Sequence, residues 1–220
     1  MSTKGDRITL NKAIIFDLDG TLLQTHHHSC HAAHETLRAL DLPDVPDALV
    51  MRYIGEPADV FLRAIAPDYP DPAGFERLFD ANEQAALRRV GKLYDGVPEL
   101  LQHLADSGYQ LAICSNGSRE YVETALATTG IRSCFSRLAC AGEYAGKTAA
   151  VAAIIREWNS EITVVAGDRV HDMDAARANG VPFIAAAYGY GGAETEEAAY
   201  RAQSPRDMIR LLERIEASDR

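Results

Sequence analysis

Asp17-Leu18-Asp19-Gly20-Thr21 follows the apolar run Ala13-Ile14-Ile15-Phe16. On extended chain, residues two apart share a face, so the Asp17 and Asp19 side chains lie together. Carboxylates this close repel one another; they persist where they bind a cation, share a proton or do both. Gly20 permits a tight turn directly afterwards. Asp168 and Asp172 add two more acids, four apart, behind the run Ile162-Thr163-Val164-Val165-Ala166. Clustered carboxylate oxygens suit magnesium, which also takes waters and phosphate oxygens. Lys147 supplies the counter-charge. A carboxylate attacking a phosphate monoester is anion attacking anion, and a lysine with a magnesium ion offsets that repulsion and holds both reactants in line. The Ser115 hydroxyl and backbone N–H groups of Ser115-Asn116-Gly117, at a helix start, could bind phosphoryl oxygens. The chemistry these groups share is phosphoryl transfer.

Each group alone has a plainer reading. A DxD can be a turn, Ser115-Asn116-Gly117 a loop, Lys147 a solvated helix start and Asp168 an N-cap. Their order is what joins them, because each follows its own strand candidate. The five runs are Ala13–Phe16, Gln110–Cys114, a weak Arg137–Cys140, Ile162–Ala166 and Val181–Ala186. Near-continuous apolar strands indicate a sheet buried on both faces. Helical patterns alternate with them: Pro98–Asp106, Ser118–Thr129 with Ser118 as cap, Lys147–Trp158, and Asp172–Asn179 before the stop signal Gly180 and Pro182. This rhythm predicts an α/β fold with a doubly wound parallel sheet, which binds ligands beyond the carboxyl ends of its strands.

About ninety residues between the first two strands break the rhythm. They show helical spacing at Phe75, Leu78, Phe79, Asn82, Ala86, Val90 and Leu93, and Pro43, Pro46, Pro57, Pro67, Pro70 and Pro72 divide them into several helices. The expected organisation is a core from residues 1–23 and 94–220 with an inserted α-helical domain over 24–93. Asp95-Gly96 and Pro98 make the return turn.

Composition narrows the partners. The 220 residues carry a formal net charge of -10, which argues against a nucleic-acid or anionic-membrane surface. No apolar run reaches a membrane span. Met1 to Lys12 is polar and lacks the apolar stretch of a secretory signal. The four cysteines show no CxxC spacing, and the expectation is a reducing, cytoplasmic compartment. Monomer and homodimer stay equally open.

With these residues in hand, the chain resembles the haloacid dehalogenase-like hydrolase superfamily, within it the C1-capped, phosphoglycolate-phosphatase-like branch. Asp17-Leu18-Asp19-Gly20-Thr21 matches its DxDGT motif, Ser115-Asn116 its Ser/Thr motif, Lys147 its lysine, and Gly167-Asp168-Arg169-Val170-His171-Asp172 its GDxxxD motif. The branch assignment comes from Ala187-Tyr188-Gly189-Tyr190-Gly191 after Asn179-Gly180-Val181. The resemblance implies a Rossmann-like core with a helical cap and a magnesium-dependent phosphatase acting on a small phosphorylated metabolite. It implies Asp17 as nucleophile, forming an aspartyl-phosphate. Asp19 would protonate the leaving oxygen and then activate water. Lys147 would act with them, and Thr21, Ser115 and Asn116 would bind the phosphate. Magnesium would be held by Asp17, Asp19 (through its carbonyl) and Asp168, with Asp172 assisting. A sugar-phosphate phosphomutase, a nucleotidase or pyrophosphatase, a dehalogenase and a non-catalytic binding protein are the alternatives on the same scaffold. Asp95 and Thr148 stand where the family often has proline, and Arg169 where it commonly has a small residue.

Other signals are weaker. His26-His27-His28 with Cys30, His31 and His34 puts His27, His31 and His34 on one helix face, a metal-like pattern whose plainer reading is a polar hinge and first cap helix. Arg52-Tyr53-Ile54-Gly55-Glu56-Pro57 is either a loop reaching the pocket or a helix-ending turn. Arg169 and His171 are either substrate contacts or a surface ion pair.

Overall fold

A computed structural model describes residues 11–218; most of the polar stretch from Met1 to Lys12 lies outside them. Six parallel strands form one sheet, in the order β3-β2-β1-β4-β5-β6. They are β1 (Lys12–Phe16), β2 (Tyr109–Cys114), β3 (Arg137–Ala139), β4 (Ile162–Gly167), β5 (Phe183–Ala186) and β6 (Tyr200–Ala202). The helices are α1 (His26–Ala39), α2 (Asp47–Tyr53), α3 (Ala58–Ile65), α4 (Pro72–Val90), α5 (Val97–Asp106), α6 (Arg119–Thr128), α7 (Lys147–Trp158), α8 (Val170–Ala178) and α9 (Pro205–Ser218).

Side-chain alternation explains why the strands read as unbroken apolar runs. Ile14, Phe16, Leu111, Ile113, Val164 and Ala166 point to the face covered by α5, α6 and α9. Ile15, Ala112, Cys114 and Val165 point to the opposite face, covered by α7 and α8. Both faces are buried, so no strand position can be polar without a partner.

α1 to α4 form a separate helical layer with its own apolar cluster, centred on Ala33, Leu37, Val50, Phe61, Phe75 and Phe79. The chain crosses to it and back side by side: Gln24 N–H donates to Lys92 O and Tyr94 N–H to Leu22 O. The helical spacing from Phe75 to Val90 falls within α4, Leu93 lies beyond its end, and Val90 in the last turn is 47% exposed, off the apolar face that Phe75 and Phe79 occupy.

Element boundaries moved where hydrogen bonding dictates. β5 begins at Phe183, because Pro182 has no N–H to donate; its carbonyl accepts from Val165 N–H instead. α8 begins at Val170, two residues before the expected Asp172, because the Asp172 carboxylate turns back to accept from Arg169 N–H. β6 and α9 had no counterpart in the sequence reading. Among the described residues, no helix is long and apolar enough to cross a membrane.

Candidate active site

The strand order reverses between β1 and β4, and the polar residues that follow these strands meet at that point. Asp17 continues β1, its N–H donating to Ala166 O at 2.8 Å. Gly20 turns the chain away at once with φ +78°; a Cβ there would stand 2.3 Å from Asp168 Oδ2, so the close approach needs glycine. From the start of α7, Lys147 Nζ donates to Asp17 Oδ1 at 2.7 Å and to Asp172 Oδ1 at 2.6 Å. Asp17, Asp168 and Asp172 each bring one carboxylate oxygen within 4.8 Å of the other two. No other group of three acidic, histidine or cysteine ligands converges in this way among the described residues.

Two oxygens in this cluster lack partners. Asp17 Oδ2 and Asp168 Oδ1 are buried and accept no hydrogen bond. Buried acceptors are normally satisfied, so two orphans in an all-oxygen cluster fit a hard divalent cation such as magnesium. The other Asp168 oxygen is committed, accepting from Tyr190 N–H at 2.6 Å and Gly191 N–H at 3.2 Å. The electrostatics agree. Burial, with like charge from Asp172 and Asp168, pushes the Asp17 carboxyl well above its usual range despite Lys147. Burial and then Asp172 raise Asp168 to about 7. Burial opposes the charge on Lys147, but Asp17 and Asp172 outweigh it and hold the ammonium form. The cluster thus carries more carboxylate than one lysine balances.

Asp19 faces differently. Its Oδ1 accepts from Thr25 Oγ1 and from Tyr121 OH, both at 2.6 Å. The tyrosine has one proton and gives it to Asp19, so His28 Nε2, at 3.0 Å, donates to the phenol oxygen. That fixes the His28 tautomer. Burial, with two neighbouring histidines, lowers His28 to about 3, so the ring is neutral. Burial raises the Asp19 carboxyl, against the two hydrogen bonds.

A cavity of about 180 Å³ opens above Asp17 and Asp19 and runs up to the helical layer. Drug-sized ligands need roughly 300–1,000 Å³, so this is room for a small molecule. One wall is the loop between α2 and α3. Arg169, next to Asp168, is buried and reaches across to it: the guanidinium donates to Arg52 O at 3.0 Å and Ile54 O at 3.2 Å, and to the Glu56 carboxylate. Asn116 Nδ2 donates to Gly55 O at 2.9 Å, and His171 Nε2 lies 3.0 Å from Glu56 Oε2.

The sequence profile of the haloacid dehalogenase-like hydrolases matches residues 14–186. The chain belongs to that family. It is 30% identical to a phosphoglycolate phosphatase of Vibrio vulnificus over 199 residues, covering 83% of this chain and 86% of the relative. It is 27% identical to the tyrosine-protein kinase PtkA of Mycobacterium bovis, covering 82% of this chain and 64% of that protein. In fold it is similar to the crystal structure of a predicted phosphoglycolate phosphatase from Haemophilus somnus, with a TM-score of 0.85, 24% identity and coverage of 93% and 99%.

Within this haloacid dehalogenase-like fold, Asp17, Asp19, Lys147, Asp168 and Asp172 come together at the strand ends. Ser115 follows β2, and its Oγ accepts from Gly117 N–H at 3.0 Å, leaving its own proton to give. Asn116 lines the cavity, but its side-chain amide is spent on the Gly55 carbonyl. Thr21 is not on the cavity wall. It is wholly buried behind the turn, its carbonyl accepting from Tyr188 OH at 2.7 Å. The histidine cluster disperses: His28 turns inward to Tyr121, His31 sits 3.0 Å from Glu35, and His34 contacts Asp44 and Asp47. Thr25 and Tyr121, which hold Asp19, escaped the sequence reading, and His28, which stands behind Tyr121, was read only as one of a histidine cluster. Tyr121 is 102 residues from Asp19, and one buried tyrosine on a helix carries no motif.

Proposed function

We propose that the protein hydrolyses a small organic phosphate monoester through an aspartyl-phosphate on Asp17, with magnesium bound. The observation that carries this reading is the Asp17 carboxylate itself. One oxygen is pinned by Lys147, and the other is buried and unpartnered, in a carboxylate that lies within 4.8 Å of those of Asp168 and Asp172 and lines a substrate-sized cavity.

In the first half-reaction an Asp17 oxygen attacks phosphorus. The bond from phosphorus to the leaving oxygen breaks as Asp19, raised by burial, gives that oxygen a proton. In the second, Asp19 takes a proton from water, which attacks phosphorus and frees inorganic phosphate and the Asp17 carboxylate. Thr25 and Tyr121 hold Asp19 Oδ1, so its other oxygen is the one left to carry the proton. Lys147 aligns Asp17 against Asp172, and the Ser115 hydroxyl is free to bind a phosphoryl oxygen. Magnesium, held by Asp17, Asp168 and the Asp19 carbonyl with Asp172 in support, would offset the charge of the phosphate facing Asp17. Residues 24–93 act as a cap that closes the site from above. The free state of Cys30, Cys114, Cys134 and Cys140 supports a cytoplasmic setting.

A phosphomutase would need cations in the cap for a second phosphate. Arg52 and Arg63 do not line the cavity, and Arg63 pairs with Asp59. No observation favours that reading, nor a dehalogenase, which has no use for Asp19. Phosphoglycolate is the first compound to assay, because relatives carry that name. The test is inorganic phosphate release from a panel of phosphate esters with magnesium. Release that stops with EDTA and returns with excess magnesium is expected. Release that persists in EDTA would sink the metal role, and a silent panel the phosphatase reading.

Arg169→Gln bears on the cap. Removing a cation that donates to two cap carbonyls should raise KM roughly tenfold and lower kcat less, because loop docking precedes chemistry. Steady-state kinetics with unchanged KM would show that Arg169 does not dock the loop.

A further inference from the structure

The α4 side of the cavity is acidic, without ion pairs among the described residues. Glu76, Asp80 and Glu83 stand on α4 at spacings of four and three, so they share one face, and all three line the cavity. None forms an ion pair among the described residues. Glu56, which also lines the cavity, does: Arg169 and His171 hold it below its usual range against the effect of burial. No lysine, arginine or histidine is among the described residues that line the cavity. Tyr53, Phe61 and Phe79 complete the wall, and aromatic faces attract cations.

The row of acids is under strain. Burial raises Glu83 to about 8, with Asp19 and Asp80 adding like charge, although Ser29 donates a hydrogen bond to it. Burial, then Glu76 and Glu120, raise Asp80. Independently of these acids, the same cavity is lined by Asp17, a buried carboxylate with one oxygen unpartnered. A ligand spanning it has its phosphoryl group at Asp17 and the rest of its structure against α4.

We infer that Glu76, Asp80 and Glu83 select phosphate monoesters whose organic part carries a protonated amine, and reject those ending in a carboxylate. The inference rests on the phosphatase reading and sharpens it. An ammonium group beside this face gains three carboxyl partners and an aromatic wall. A carboxylate there meets a wall of acidic groups with no lysine, arginine or histidine to receive it, and such unmatched contacts are a usual means of excluding a wrong ligand.

The experiment compares 2-aminoethyl phosphate, 2-hydroxyethyl phosphate, phosphoglycolate and phenyl phosphate, with magnesium, by phosphate release. The expected kcat/KM for the amine exceeds that for phosphoglycolate on the order of 100-fold, with the hydroxyl compound between. Glu83→Gln should shrink that ratio at least about tenfold, by slowing the amine, whose ammonium group would hold the Glu83 carboxylate in its ionised form. Glu76→Gln, at an exposed position, repeats the test if Glu83→Gln does not fold. Phenyl phosphate hydrolysed while phosphoglycolate equals or exceeds the amine overturns the inference and leaves the phosphatase reading standing. A ratio that neither substitution alters overturns the assignment to α4. No release from any of the four overturns the phosphatase reading and this inference with it.

Discussion

Asp17→Asn should abolish phosphate release, by about ten-thousandfold or more, in a protein that still folds. The size follows from the role: without a nucleophile there is no covalent intermediate, and the remaining groups act only as a unit with it. The fold should survive for a separate reason. Asp17 is buried beside Asp168 and Asp172, and its ionised form is disfavoured there by desolvation first and like charge second. A neutral amide of the same shape relieves that repulsion, and Lys147 keeps Asp172 as its partner at 2.6 Å. Thermal melting should therefore show a midpoint at or above that of the parent. Turnover within tenfold of the parent would remove Asp17 from the nucleophile role.

Lys147→Met should act on stability as well as on turnover. Lys147 is the cation between Asp17 and Asp172, and all three side chains are buried. Removing one member of a buried ion pair leaves uncompensated charge and costs about 3–5 kcal/mol. For a chain of this size that is a fall in melting temperature on the order of 10 °C. Millimolar magnesium should recover part of the loss, because a ligand that binds only the folded carboxylates stabilises them by mass action. Melting curves with and without magnesium test both parts. An unchanged midpoint without metal would mean that Lys147 does not balance the cluster.

How much of this was legible in the sequence depended on what each residue touches. β1, β2 and β4 were readable because strands buried on both faces must be apolar throughout. β6 was not: it is a three-residue edge strand, Tyr200-Arg201-Ala202, and only Ala202 is buried. Asp17, Lys147 and Asp168 stand at the ends of regular elements, so their order along the chain reported their convergence. The support of Asp19 by Thr25, Tyr121 and His28 depends on how α6 lies against α1, and no spacing records that. Glu76, Asp80 and Glu83 look in sequence like the solvated face of a helix. Only the position of α4 over the cavity distinguishes them. The Arg169 departure from the family pattern was visible, but its partners were not, because two of them are backbone carbonyls.

Those carbonyls bear on how the protein can change. The loop beside the site is held through the main-chain oxygens of Arg52, Ile54 and Gly55, which every residue type possesses, and through one side chain, the carboxylate of Glu56. The side chain of Tyr53, which lines the cavity, takes no part in that fastening. Apart from Glu56, which does both, the groups that fasten the loop are distinct from the side chains that line the cavity beneath it. New specificities can be built here one wall residue at a time, on an unaltered fastening.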